Sequence, residues 1–83
     1  MKIYAELSSD EVEEVYKKIS LNVKRIRKEK NLTQTDMALA MGFTTATFFT
    51  NAENCNNKHF NLEHIIKISK ILEVDISEFF KSI

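Results

Sequence analysis

Residues 33–54 read TQTDMALAMGFTTATFFTNAEN, and the fold turns on this stretch. Thr33 with Asp36 three positions on marks a helix start: the threonine hydroxyl can accept from the amide of Asp36, and the carboxylate can answer back to the amide of Thr33. The helix begun there is expected to run through Met41. Gly42 follows, the single glycine of the chain and the natural residue for the positive φ of a tight interhelical turn. Phe43 and Thr44 complete the turn. Thr45 is the expected N-cap of a third helix reaching about Glu53, and the polar run Asn54, Cys55, Asn56, Asn57, Lys58 reads as loop. Two short helices joined through a glycine turn, from about Thr33 to Asn54, form a helix-turn-helix, although helical hairpins of this kind serve many purposes.

Outward from that stretch, apolar residues Val12, Val15, Ile19, Val23 and Ile26 recur every three or four positions between Asp10 and Lys30, the period of one helix face. Ser8 or Ser9 can cap this segment, acidic residues fill its first turn, and Lys28 and Lys30 stand at its end, as the helix dipole favours. The pattern fits one helix or two, ended by Asn31. Residues 2–7 (KIYAEL) alternate weakly, as a short strand or an ordered arm would. On the other side, Asn61 is a cap for a fourth helix whose Leu62, Ile65, Ile66, Ile68 and Leu72 are expected to face the core. Asp75 and Glu78 then offer a last capping pair before Phe79 and Phe80.

A chain of 83 residues closes only one small core. It is 43% apolar with one glycine and no proline, so helices joined by short turns are expected rather than a sheet, and the fold class is all-α. The lone Cys55 cannot form an internal disulfide. No signal peptide or membrane-spanning run is evident, so a cytoplasmic protein without membrane attachment is expected. The formal net charge is zero, but its distribution is uneven. Residues 1–16 carry Glu6, Asp10, Glu11, Glu13 and Glu14 against Lys2, whereas residues 17–83 carry eleven basic and seven acidic side chains, a net of +4. The cluster Lys17, Lys18, Lys24, Arg25, Arg27, Lys28 and Lys30 is either a solvated face or a source of phosphate contacts.

Over residues 20–80 the string RIRKEKNLTQTDMALAMGF, a helix ending in Glu53, and NLEHIIKISKILEVDISEFF resemble the Cro/C1-type (XRE) helix-turn-helix family. The resemblance implies a compact five-helix, lambda-repressor-like domain over residues 19–83, preceded by an acidic N-terminal extension over residues 1–18. It also implies a DNA-binding transcriptional regulator, expected here to be a repressor and homodimeric, with double-stranded DNA as partner, no cofactor and no enzymatic activity. The DNA side would carry Gln34, Thr44, Thr45, Ala46, Thr47, Thr50, Asn51, Asn54 and Lys58. Gln34 is similar to a family glutamine that holds a phosphate, a task suited to an amide beside exposed helix N–H groups. Ala46, Thr47 and Asn51 would meet base edges, with Thr50 flanking them. Asparagine can pair with adenine N6 and N7, and alanine or threonine methyls can pack on the thymine methyl, so an A·T-containing half-site is expected. Arg27 and Glu53 resemble the family's structural ion pair; as a largely exposed pair they would contribute only ~0–1 kcal/mol. Ala38 would let the two helices approach, with Met37, Met41, Phe43 and Phe49 filling the core between them.

Three positions depart from the family pattern. One extra residue separates Gly42 from the third helix, which unsettles the register that makes Thr45 the cap. Cys55 stands where a helix-ending glycine is usual, so a neighbouring asparagine would turn left-handed or the helix would lengthen. Phe48 replaces a small polar residue; it packs against Leu39, wedges near the DNA, or belongs to a protein interface. Cys55, His59 and His64 raise the question of zinc, but their spacing matches no standard site and a fourth ligand is lacking, so no metal is expected. The stronger competitor is an antitoxin or adaptor on the same fold, binding a protein partner through the N-terminal extension, with DNA secondary or absent.

Overall fold

Four α-helices and a terminal 3-10 helix make up the computed structural model, which describes residues 6–82, and no strand occurs among the described residues. Helix α1 spans Ser9–Glu29, α2 Gln34–Ala40, α3 Thr47–Glu53 and α4 Leu62–Leu72; the 3-10 helix spans Ile76–Phe80. The fifth helical element is thus a single tight turn rather than a full α-helix. Most of the expected N-terminal arm, residues 2–5, lies outside the described residues.

Helix α1 is one uninterrupted helix. Ser8 Oγ accepts from the Glu11 amide at 3.2 Å and the Glu11 carboxylate accepts from the Ser8 amide at 2.7 Å, a reciprocal cap that satisfies two amides otherwise left open at a helix start. Thr33 with Asp36 and Asn61 with His64 start α2 and α4 in the same way. Asp75 caps the 3-10 helix differently from the expected pairing with Glu78: its Oδ1 accepts from the Ser77 amide at 2.9 Å.

All four α-helices end alike, with one left-handed residue just beyond the helix and a returning amide that reaches the carbonyl five residues back. Asn31 (φ 60°), Gly42 (φ 95°), Cys55 (φ 55°) and Glu73 (φ 56°) occupy the left-handed position. The returning amides are Leu32 to Arg27, Phe43 to Ala38, Asn56 to Asn51 and Val74 to Ser69, at 2.8–3.1 Å. Only one of these stops is glycine. Cys55 takes the left-handed conformation itself, and an asparagine close by, Asn57, is left-handed as well (φ 58°), so the expected left-handed asparagine occurs in addition to Cys55 rather than in its place.

The core is built from Ile19, Val23 and Ile26 of α1, Met37, Ala38 and Met41, Phe49 and Ala52 of α3, Phe60 of the loop before α4, Ile65, Ile68 and Leu72 of α4, and Phe79. Two of the residues expected to face it on α4, Leu62 and Ile66, are exposed, because an eleven-residue helix packed on one side buries a stripe containing only Ile65, Ile68 and Leu72. Buried polar groups on α1 fasten the remaining elements. Asn22 Nδ2 donates to the carbonyls of Phe79 (2.9 Å) and Lys81 (2.8 Å), holding the C-terminal turn, and Ser20 Oγ donates to the Ala52 carbonyl of α3 at 2.9 Å. The first turns of α1 project past this core: Val15 is exposed and Val12 only half-buried. The molecule is accordingly long, 47 × 24 × 21 Å.

Candidate nucleic-acid interface

Helices α2 and α3 meet through side chains that leave little between them. Ala38 and Ala52 are fully buried, Phe49 fills the space beside them, and the turn at Gly42 reverses the chain. The start of α3 differs from expectation: it begins at Thr47 with Ala46 in the cap position, and no side chain caps it. Thr45 Oγ1 instead donates to Thr47 Oγ1 at 3.3 Å. The extra residue after Gly42 is absorbed in the turn. Phe48, one residue into the helix, holds the helix start in place by packing between Phe43 (ring centroids 5.2 Å apart), His64 (4.8 Å) and Phe60 (6.3 Å). Phe48 therefore turns toward α4, while Leu39 stays 58% exposed.

At the far end of α3 the fastening is ionic. Glu53 Oε2 accepts from Arg27 Nε at 2.9 Å and Glu53 Oε1 from Arg27 Nη2 at 2.8 Å, a bidentate pair; Arg27 Nη1 also donates to the Leu32 carbonyl at 2.8 Å. The two side chains are 8% and 0% accessible, so the figure for an exposed pair does not apply. Glu53 Oε1 further accepts from Gln34 Nε2 at 3.1 Å, and Gln34 Oε1 accepts from the Thr50 hydroxyl at 2.9 Å. One polar chain thus runs from α1 through the end of α3 to the first residue of α2.

With Phe49, Ala52 and Glu53 buried, the opposite stripe of α3 is Thr47, Asn51 and Asn54, spaced by four and three residues. Thr44 and Thr45 precede it and Asn56, Asn57 and Lys58 follow, all exposed. The Schellman turn at Cys55 carries the chain away so that this outer face is left uncovered. Charge is absent from the stripe until Lys58.

The family model of the Cro/C1-type HTH DNA-binding domain matches residues 22–83. The chain belongs to this family. No curated protein and no solved structure matches the chain. In Cro/C1-type terms α2 and α3 are the two helices of a DNA-binding motif, and the chain is a DNA-binding regulator. Of the residues expected on the DNA side of this Cro/C1-type domain, Thr44, Thr45, Thr47, Asn54 and Lys58 are exposed, while Gln34, Ala46, Thr50 and Asn51 are half-buried. Gln34 and Thr50 are engaged with each other, a relation that local spacing gave no sign of. Asn56, absent from the expected set, donates from Nδ2 to Asn51 Oδ1 at 3.4 Å, a contact that follows from the turn at Cys55.

Of the side chains that raised the metal question, Cys55 and His59 line one concavity with Tyr16, while His64 packs in an aromatic cluster. His59 stacks on Tyr16 of α1 at 3.9 Å, Cys55 is half-buried in its turn, and His64 belongs to the Phe43, Phe48 and Phe60 cluster. Among the described residues no group of three such side chains could hold a metal ion. Burial depresses the His64 pKa below its ordinary value, and Lys67 and His59 add to this, against an opposing contribution from Glu63. Among the described residues no helix is long and apolar enough to cross a membrane.

Proposed function

We propose that the protein is a sequence-specific transcriptional repressor of the cytoplasm that binds double-stranded DNA as a homodimer, each copy laying α3 in a major groove. The observation that carries this reading is the outer stripe of α3: Thr47 and Asn54 are exposed and Asn51 half-buried, all three are small enough to approach base edges, and the opposite face is buried through Phe49, Ala52 and Glu53. Asn51 is the base reader, pairing with adenine, and Ala46 and Thr47 pack on thymine methyls. Thr44, Thr45 and Asn54 border this contact. Gln34 and Lys58 engage phosphates, which set register rather than sequence preference. Two copies would place their third helices about 34–36 Å apart, one helical turn of DNA.

Residues 1–18 form an acidic extension with its own task, distinct from the domain at 19–83. The apolar stripe of α1 continues past the core to Val12 and Val15, which supports a second reading, a protein partner docking there.

The test is selection of bound sites from a random duplex pool, followed by titration of Asn51→Ala. The substitution is expected to weaken the selected site by about 1–3 kcal/mol while leaving random DNA nearly unchanged. Equal losses on both would remove Asn51 from base reading. Duplex binding that is absent at every salt concentration would favour the adaptor.

A further inference from the structure

We infer that Thr50 is a positioning residue for the phosphate contact of Gln34 rather than a DNA contact in its own right. The inference rests on the DNA-binding reading above. A glutamine amide has nearly the same shape either way round, but its two ends differ in chemistry: the oxygen only accepts and the nitrogen donates twice. Here the Glu53 carboxylate, which can only accept, makes the choice, and the Thr50 hydroxyl holds the oxygen end so placed. The Thr50 hydroxyl donates to Gln34 Oε1 at 2.9 Å, and Gln34 Nε2 donates to Glu53 Oε1 at 3.1 Å. Reversing the amide would set its oxygen against a buried carboxylate oxygen. Glu53 cannot move to relieve this, because Arg27 grips both of its oxygens at 2.8 and 2.9 Å.

With both bonds made, one N–H of the Gln34 amide is uncommitted, on a half-buried side chain at the first residue of α2. That N–H is the donor offered to a phosphate oxygen. Holding it in place before DNA arrives spares the ordering of a flexible side chain on binding. The arrangement also ties the phosphate contact of α2 to the middle of α3, so the two helices meet the duplex in one register. The Thr50 hydroxyl is spent on this lock, which separates Thr50 from the base-edge residues Thr47 and Asn51.

The test uses the full chain and a set of duplexes carrying the selected site, each with one phosphate replaced by an uncharged methylphosphonate. Wild-type protein should lose affinity at several positions, and Gln34→Ala should erase the effect at one of them. Thr50→Val, which keeps the side-chain shape, is expected to reduce affinity about 2- to 10-fold on selected and random DNA alike. It should blunt the effect at that same phosphate and no other. The double variant Gln34→Ala with Thr50→Val should bind no worse than Gln34→Ala, and Thr50→Ser should restore wild-type behaviour. Because glutamine is neutral, the salt dependence should stay as in wild type, unlike that of a lysine removal, which lowers the slope by about 0.9.

Wild-type affinity in Thr50→Val, a further loss on top of Gln34→Ala, or a change at a different phosphate would overturn the assignment, as would a Gln34→Ala variant that erases no position. Wild-type protein indifferent to every methylphosphonate would instead bring down the DNA-binding reading, and this inference with it.

Discussion

Glu53 shows how much a single side chain can be asked to do in a domain this small. Its carboxylate sits in the interior with 0% of the side chain accessible, neutralised by one arginine and shared with one glutamine. Removing a single member of a buried ion pair leaves the other desolvated and alone, which costs far more than the net worth of the pair. Glu53→Ala is expected to lower unfolding free energy by about 3–5 kcal/mol, a large share of what a small domain possesses. Replacing both partners, Arg27→Met with Glu53→Leu, should cost much less. Urea unfolding of the three proteins decides the matter, and equal losses in the single and double variants would show that the pair is not acting as a charge pair. The identity of this pair was legible in the sequence through its resemblance to a known pattern, but its burial was not. Burial depends on elements that meet only in the fold: Glu53 lies 26 residues from Arg27, and Leu32 and Gln34 complete the hydrogen bonds of the pair. The bond between Thr50 and Gln34 was hidden for the same reason, since the two lie 16 residues apart.

At the scale of elements, the helix starts were readable where the chemistry is local. Thr33 answers Asp36 within one turn and Asn61 caps α4, and nothing distant has to agree. The start of α3 was not readable, because no side chain caps it and the packing of Phe48 against Phe43 and His64 sets it instead. The cap of α4 has a consequence for pH. The Asn61 amide donates to His64 Nδ1 at 3.1 Å, which requires an unprotonated nitrogen there, and burial likewise favours the neutral ring. The folded pKa lies below the unfolded value near 6.5, so the unfolded chain binds more protons as pH falls. The contribution of His64 to stability is therefore complete above about pH 6.5 and is lost as pH drops through the folded pKa. His64→Gln keeps an acceptor for the Asn61 amide but does not titrate. Melting temperatures compared between about pH 7 and pH 5 should fall less for His64→Gln than for wild type. Asp36 and Asp75, both depressed chiefly by hydrogen bonds from backbone amides, lose their contributions only as pH falls below the ordinary aspartate value. Parallel melting curves for the two proteins would remove His64 from the account.

For the whole molecule the governing feature is that α1 serves two regions of opposite charge. At 21 residues it is about 31 Å long, yet core burial begins only at Ile19, and the turns before it carry Asp10, Glu11, Glu13 and Glu14. The acidic turns are not remote from the proposed DNA side. Glu13 and Tyr16 share one concavity with Asn57, Lys58 and His59, and the Tyr16 ring stacks on His59. A carboxylate beside a lysine proposed to meet phosphate opposes the approach of a polyanion, by an amount that depends on how far the field reaches. The screening length is about 30 Å at 0.01 M salt and about 3 Å at 1 M. Neutralising Glu13 and Glu14 together, as Glu13→Gln with Glu14→Gln, preserves α1 and its Ser8–Glu11 cap while removing two charges from that side. Affinity for random duplex is expected to rise several-fold at about 0.01 M salt, and the two proteins should converge near 1 M, where charges this far apart no longer sense each other. An increase that persisted at high salt would mean that the substitutions create a new contact, and no increase at low salt would mean that the acidic turns stand clear of the bound duplex, free for a protein partner along Val12 and Val15.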